Sequence, residues 1–522
     1  MQLTPSLDDF CTAYAAGRNQ IVYTRLAADL DTPVSLMLKL TKDQKDAFLL
    51  ESVTGGEIRG RYSIIGMKPD LIWQCHGTQS RINRDAQRDA RAFVGQDADP
   101  LHNLRILLEE SHIDLPKDLP QASAGLFGYL GYDMIRLIET LPHINPDPLG
   151  LPDACLYRPS VVVVVDGVKG DVIIVASAWN TNAVPAHTAY QQAADRVTAV
   201  VRDLATTIPQ VARESPHRAS TAEDAASASA SAIGNFTKAN YLAAVEKARD
   251  YTRAGEVFQL VLSQRWVQDF CYPPFALYRS LRRTNPSPFM FYFNFGGYQV
   301  VGASPEILVR VFDRRVTIRP IAGTRPRGAT TEQDKQHERD LLSDAKECAE
   351  HLMLLDLGRN DVGRVARVGS VRPTEQFTIE RYSHVMHIVS NVEGELAEGR
   401  DALDAFFAGM PAGTVSGAPK VRAMELIDAL EPEKRGIYGG GVGYFSSGGD
   451  MDICIALRTA IVKNGQVYIQ AGGGVVYDSD PETEYMETLH KSNALRRAAA
   501  DAAFFSGNLG ENDRANGEEK TP

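Results

Sequence analysis

The chain has 522 residues, 44% hydrophobic and 23% charged, the balance of an ordinary globular protein. Its net charge of −11 and lack of a basic stripe argue against nucleic-acid partners and against an anionic membrane surface. Six scattered cysteines without a Cys-x-x-Cys pair exclude a zinc ribbon and predict free thiols; no signal peptide or bilayer-spanning run is evident, so the expected location is cytoplasmic.

Residues 1–206 read as a mixed N-terminal unit. Within it, 48–52 (FLLES) reads as a strand end. The valine runs 161–165 and 172–175 read as two strands joined by a turn, and 186–205 as a helix. Residues 207–234, rich in Ala and Ser, read as a flexible linker. A second unit, 235–506, opens with a helix at Thr237. Strand-like runs follow at 257–261, 289–295, 299–302 and 316–318. A long amphipathic helix is predicted over 332–355, with the stripe Leu341, Ala345, Cys348, Leu352 and Leu355. Strands return at 441–445, 453–461 and 467–470. A last helix runs from Pro481 to about 505, with Asp480 as its N-cap. Residues 507–522 read as a disordered tail. Strands in blocks, not in alternation with helices, predict an α+β fold: two largely antiparallel sheets packed together with flanking helices.

Four features carry chemistry. Glu347 and Glu350 lie three apart on one predicted helix, as do Glu484 and Glu487 on another, which would suit a hard divalent cation such as Mg2+. The same spacing is common on solvated helix faces, and Glu487 with Lys491 makes an i,i+4 ion pair equally well. The glycine loops at 439–441 with Gly443, and at 472–474, fit no dinucleotide fingerprint. GAPK at 417–420 is no phosphate-binding loop. These glycines suit either tight turns or backbone N–H groups approaching a carboxylate. Arg458, on a predicted strand, Lys491 and Lys420 supply positive charge for an anionic ligand. His351, His384, His387 and His490 are candidate proton carriers. These residues alone read as a cytosolic α+β enzyme for a small carboxylate, with magnesium as the expected ion.

The stretches LLES (49–52), NPSPFMF (285–291), PIAGTRPRG (320–328), AEHLMLLDLGRND (349–361), HVMHIVS (384–390), PAGTVSGAPKVRAMELI (411–427), YGGGVGYF (438–445) and AGGGVVYDSDPETEYMET (471–488) occur in one order. Together they resemble the large-subunit (component I) anthranilate synthase family of chorismate-utilising lyases. The resemblance implies conversion of chorismate and ammonia to anthranilate and pyruvate. It implies Glu350 and Glu487 as direct Mg2+ ligands, supported by Glu347 and Glu484. Gly323, Thr324, Tyr438, Arg458, Gly472, Gly473 and Gly474 would hold chorismate, and Lys491 would meet a substrate carboxylate, not a helix partner. His387 would assist proton transfer, with Thr414 as a second catalytic candidate. Ser52, Pro288, Phe289 and Met290 match an inhibitory tryptophan site, where Phe289 replaces a frequent tyrosine. Gln259 stands where water-adding relatives carry a basic lysine, and Ala322 where aminodeoxychorismate synthases carry a nucleophilic one. Both favour direct attack by ammonia over those alternatives. The remaining alternative, a non-catalytic tryptophan-binding regulator, would need broken site motifs, and these are intact. Ammonia would come from glutamine through a separate amidotransferase subunit (component II) in a heterotetramer.

Overall fold

The computed structural model describes residues 1–42, 45–53, 60–180, 184–208, 232–382 and 385–506. Among these, 22 strands join into one hydrogen-bonded network of antiparallel ladders. Side-chain alternation splits each strand between two environments. On Ala154–Asp166, Cys155, Tyr157, Val162 and Val164 face a core built by strands and their connections. Val161, Val163 and Val165 face the other way, toward Phe10, Leu36 and Val197 on the helices Leu7–Ala15, Pro33–Thr41 and Ala186–Leu204. The α+β expectation of packed antiparallel layers with flanking helices describes this arrangement, and the layers are continuous through shared ladders.

Two of those ladders tie distant parts of the chain together. Ala47–Glu51 pairs with Phe289–Asn294, and Gly125–Leu130 pairs with Gly441–Ser446. Glu51, the acid of LLES, is buried and takes both a fork from Arg282 at 2.8 Å and the Tyr278 hydroxyl. It therefore fastens its strand to the helix Pro274–Thr284.

Several predicted elements are redrawn by the structure. The helix expected over 332–355 is two helices, Thr331–Ser343 and Ala345–Gly363. Asp344 between them is extended, and its carboxylate accepts from the N–H groups of Lys346 and Glu347, so the second helix starts afresh. The break resets the buried face to His351, Leu354, Leu355 and Gly358, and Leu352 of the expected stripe is 50% exposed. The strand expected at 453–461 is interrupted: Met451–Ile455 and Thr459–Lys463 flank Arg458, whose φ is 48°. The strand expected from 257 begins at Gln259 and runs to Asp269. Ile233–Gly234, at the end of the expected linker, pairs with Trp266 and Val267. Residues 209–231 of that linker and the tail 507–522 lie outside the described residues. None of the described helices is long and apolar enough to cross a membrane.

Candidate active site

The floor of the site is the ladder between Gln259–Asp269 and Gln466–Val475, in which Val261 lies opposite Gly474 and Leu262 opposite Gly473. Gly472, Gly473 and Gly474 are thus inside a strand and form no turn, contrary to the loop expected from sequence. What requires glycine is close approach. A Cβ at Gly474 would sit 2.5 Å from Gln259 Nε2, and one at Gly473 would sit 3.0 Å from Glu484 Oε2. A Cβ at Gly472 would sit 3.0 Å from the Tyr438 hydroxyl. Gly441 and Gly443 lie in the strand Gly441–Ser446, which matches the strand expected at 441–445 and not the glycine loop expected over the same residues.

Two helices aim carboxylates at this floor. Ala345–Gly363 brings Glu347 and Glu350. Pro481–Asp501, started by the expected cap at Asp480 and by Pro481, brings Glu484 and Glu487. Gln259 Nε2 donates to Glu350 at 3.1 Å, and Arg325 donates to Glu347 at 2.9 Å. Lys491 pairs with Glu487 at 2.7 Å and donates to the Gly472 carbonyl at 3.0 Å. The ion pair open in the sequence therefore exists. Both side chains are about half exposed, so it is weak and readily exchanged for another partner. Burial raises the Glu350 carboxyl against the bond from Gln259, and the charges of Glu347 and Glu487 add to the rise. Burial pushes Glu484 up to about 7, opposed by Ser479 and reinforced by Glu487; its Oε2 is buried without a hydrogen-bond partner.

Among the described residues no three His, Cys, Asp or Glu side chains gather tightly enough to cage a metal by themselves. Magnesium seldom needs such a cage: one or two carboxylates, waters and a substrate oxygen suffice. An all-oxygen donor set with an unpartnered carboxylate oxygen fits that chemistry.

The facing wall is the strand Ile321–Pro326, bulged between Ala322 and Thr324. Gly323 makes the bulge with φ at 66°, which favours glycine. Its carbonyl then meets His387 Nδ1 at 3.0 Å, and the Thr324 hydroxyl lies 3.2 Å from the same nitrogen. A carbonyl can only accept, so Nδ1 carries the proton and Nε2 keeps the lone pair. Burial lowers the His387 pKa, and nearby Arg458 lowers it further against the Gly323 bond, so the ring is neutral near pH 7. Arg458 is half-buried and has no carboxylate partner among the described residues; burial opposes its charge, so the site favours an anion there.

Thr414, a sequence candidate, donates to Glu306 at 3.2 Å. Glu306 is the residue that sequence reasoning missed. It is buried, and desolvation pushes it up to about 8 against the Thr414 hydroxyl and the Ile321 N–H. It is therefore a protonated carboxyl at pH 7, beneath the strand that carries Gly323. No periodicity or spacing marks it, because its state is set by burial.

Other candidates fall elsewhere. His351 is buried against Ser390 (2.6 Å) and pulled down to about 4 by burial, a neutral core residue. Lys420 turns away to pair with Asp361 at 2.9 Å. His490 is exposed, and His384 lies outside the described residues. Ser52, Pro288, Phe289 and Met290 all line a separate cavity of about 610 Å3. That cavity mixes apolar walls with Lys117, Arg310, Asp118 and Asp452.

Residues 45–497 match the family described as chorismate binding enzyme. The chain is 67% identical over 505 residues to anthranilate synthase component 1 of Cereibacter sphaeroides, covering 97% of this chain and 99% of that protein. The chain belongs to the anthranilate synthase component 1 family of chorismate-binding enzymes. It is also 47% identical to the family member from Pseudomonas aeruginosa, covering 94% of this chain and 98% of that one. The crystal structure of anthranilate synthase component I from Streptococcus pneumoniae superposes with a TM-score of 0.74 at 36% identity, covering 90% of this chain and 98% of that one. The menaquinone-specific isochorismate synthase of Escherichia coli shares the fold at 18% identity and a TM-score of 0.68, covering 94% of this chain and 99% of that one.

Proposed function

We propose that this chain converts chorismate and ammonia to anthranilate, pyruvate and water. Magnesium would be required, and a separate glutamine amidotransferase subunit in a heterotetramer would supply the ammonia. The setting would be cytoplasmic. The observation that carries the reading is membership of the family over 97% of the chain combined with one cleft holding four glutamates, an Arg458 with no carboxylate partner among the described residues, and a neutral His387.

Glu350 and Glu487 would hold the Mg2+, with Glu347 and Glu484 behind them, and the ion when bound would neutralise a substrate carboxylate. Arg458 suits the second carboxylate of chorismate, a bidentate partner for its fork. Gly472, Gly473 and Gly474 leave room for the ring, and Gly323, Thr324, Tyr438 and Lys491 complete the surround.

Protons divide between two groups whose environments push them apart. Ammonia forms the bond at C2 and its nitrogen then gives up one proton to solvent, the ring double bonds shift, and the C4–oxygen bond breaks. Glu306, protonated near pH 7, is the acid that turns the departing hydroxyl into water, with Thr414 orienting it. His387, neutral with its lone pair on Nε2, is the base that takes the C2 proton as the enolpyruvyl ether bond breaks and the ring becomes aromatic. Gln259 is already donating to Glu350 and the Ala322 side chain is a methyl group without a nucleophile, so neither activates water or attacks the ring.

The test is purified chain with chorismate, magnesium and ammonium, read by fluorescence and mass. Anthranilate is the expected product; isochorismate or aminodeoxychorismate as the product overturns the reading.

The cavity at Ser52 suits feedback by tryptophan, since its walls offer both charges of an amino acid and an apolar surface. Ser52→Phe would push a ring into it. The tryptophan concentration that halves the variant's own rate is expected to rise about tenfold or more, a loss of about 1.4 kcal/mol of binding. Unchanged sensitivity removes Ser52 from the inhibitor site.

A further inference from the structure

The 610 Å3 cavity and the catalytic cleft share a wall. Ile321 lines the cavity, and its strand reaches Gly323 and Thr324 of the cleft two and three residues later. Arg319 also lines the cavity and forks onto Glu380 at 2.5 and 2.9 Å. Glu380 accepts the Tyr382 hydroxyl at 3.0 Å and lies opposite His387 across the ladder. Tyr382 closes the set: it lines the cavity, and its ring meets the His387 imidazole edge-on, with centroids 5.5 Å apart at 65°.

We propose that Tyr382 is a positioning residue common to both sites, one that holds His387 while the cavity is empty and shifts it when the cavity is filled. The inference rests on the reading of that cavity as a tryptophan site. Its physical basis is that one rigid ring cannot keep two contacts when a neighbour claims its space. Tyr382 is half-buried between the cavity and the imidazole, so a ligand that presses on its cavity side moves the ring against His387. Arg319 lines the cavity and holds Glu380, which accepts the tyrosine hydroxyl; the contact with His387 is made by the ring itself.

Coupling of this kind is reciprocal: tryptophan weakens chorismate by the same factor as chorismate weakens tryptophan, typically 5–150-fold. Calorimetry with magnesium and without ammonium measures both affinities with no turnover. In the wild-type chain, saturating chorismate is expected to weaken tryptophan by about tenfold. In Tyr382→Ala each ligand alone still binds, and the factor falls to about one. Tyr382→Phe keeps the ring and restores the coupling. If Tyr382→Ala does not fold, Tyr382→Leu fills the same space without the ring edge and is expected to uncouple likewise. An undiminished factor in the Ala or Leu variant overturns the proposal. So does loss of tryptophan binding in itself, which would make Tyr382 a plain inhibitor contact. Failure of the wild-type chain to bind tryptophan overturns the cavity reading and the coupling with it, a result distinguishable from the other two.

Discussion

Glu306→Gln is expected to lower kcat by about 10²–10⁴-fold, the range for a lost general acid, with a much smaller change in KM for chorismate. The amide keeps the shape of the side chain and can still meet Thr414, so binding geometry is largely preserved while the transferable proton is gone. The wild-type pH profile supplies a second signature. The Glu306 pKa is raised to about 8, so its acid form is present below that pH and lost above it. Wild-type kcat is therefore expected to fall above about pH 8, and the residual rate of the variant to lack that limb. The acidic limb, from protonation of His387, belongs below the ordinary histidine value of 6.5, because burial lowers that ring. Stability gives a check independent of turnover. A carboxyl raised from 4.5 in the unfolded chain to about 8 in the folded one favours folding below pH 4.5. That contribution drains away as pH rises toward 8. The melting temperature of Glu306→Gln, relative to wild type, is thus expected to climb between pH 5 and 8. A variant with full kcat and an intact alkaline limb removes Glu306 from proton transfer.

The contrast between Glu306 and the four glutamates of the two helices shows what a linear sequence carries. Spacing placed Glu347 with Glu350, and Glu484 with Glu487, on helix faces, and Asp480 with Pro481 marked the start of the second helix by local chemistry alone. The valine runs at 161–165 and 172–175 were legible because buried β-branched residues are sheet in most contexts. What spacing could not supply was convergence. Lys491 had a readable partner four residues back in Glu487, whereas Lys420 is sent to Asp361, 59 residues away, which no local spacing marks. The break at Asp344 was invisible because Leu341 and Ala345 keep helical spacing across it, and only the capping bonds to Lys346 and Glu347 reveal it. Likewise, Arg458 sits at positive φ inside what reads as an unbroken apolar strand. The tryptophan and chorismate assignments came from motif resemblance. The proton assignments came from burial and from hydrogen-bond direction, neither of which a sequence states.

Glu350→Gln and Glu487→Gln test the other half of the site through a metal effect that does not depend on turnover. A ligand that binds only the folded chain stabilises it by about 2.7 kcal/mol at a hundredfold excess over its Kd. Magnesium is therefore expected to raise the wild-type melting temperature, and each of these two variants to lose most of that rise. Glu347→Gln is expected to keep it at a Kd about 10–100-fold weaker, the usual cost of losing a supporting partner. Without metal the order reverses. Glu350 is held above its ordinary value by burial and by its acidic neighbours Glu347 and Glu487, so neutralising it removes a repulsion. Metal-free Glu350→Gln should then melt above metal-free wild type at pH 8, where the native carboxylate is charged. The effect is expected to shrink as pH falls and Glu350 protonates. Glu484, pushed up to about 7, adds a pH dependence of its own. Below pH 7 it holds a proton and offers less negative charge, so wild-type magnesium affinity is expected to be weaker at pH 6 than at pH 8. Equal magnesium-induced shifts in wild type, Glu350→Gln and Glu487→Gln would move the metal away from these helices. A metal-free Glu350→Gln that melts below wild type at pH 8 would show that the bond from Gln259 outweighs the acidic neighbours.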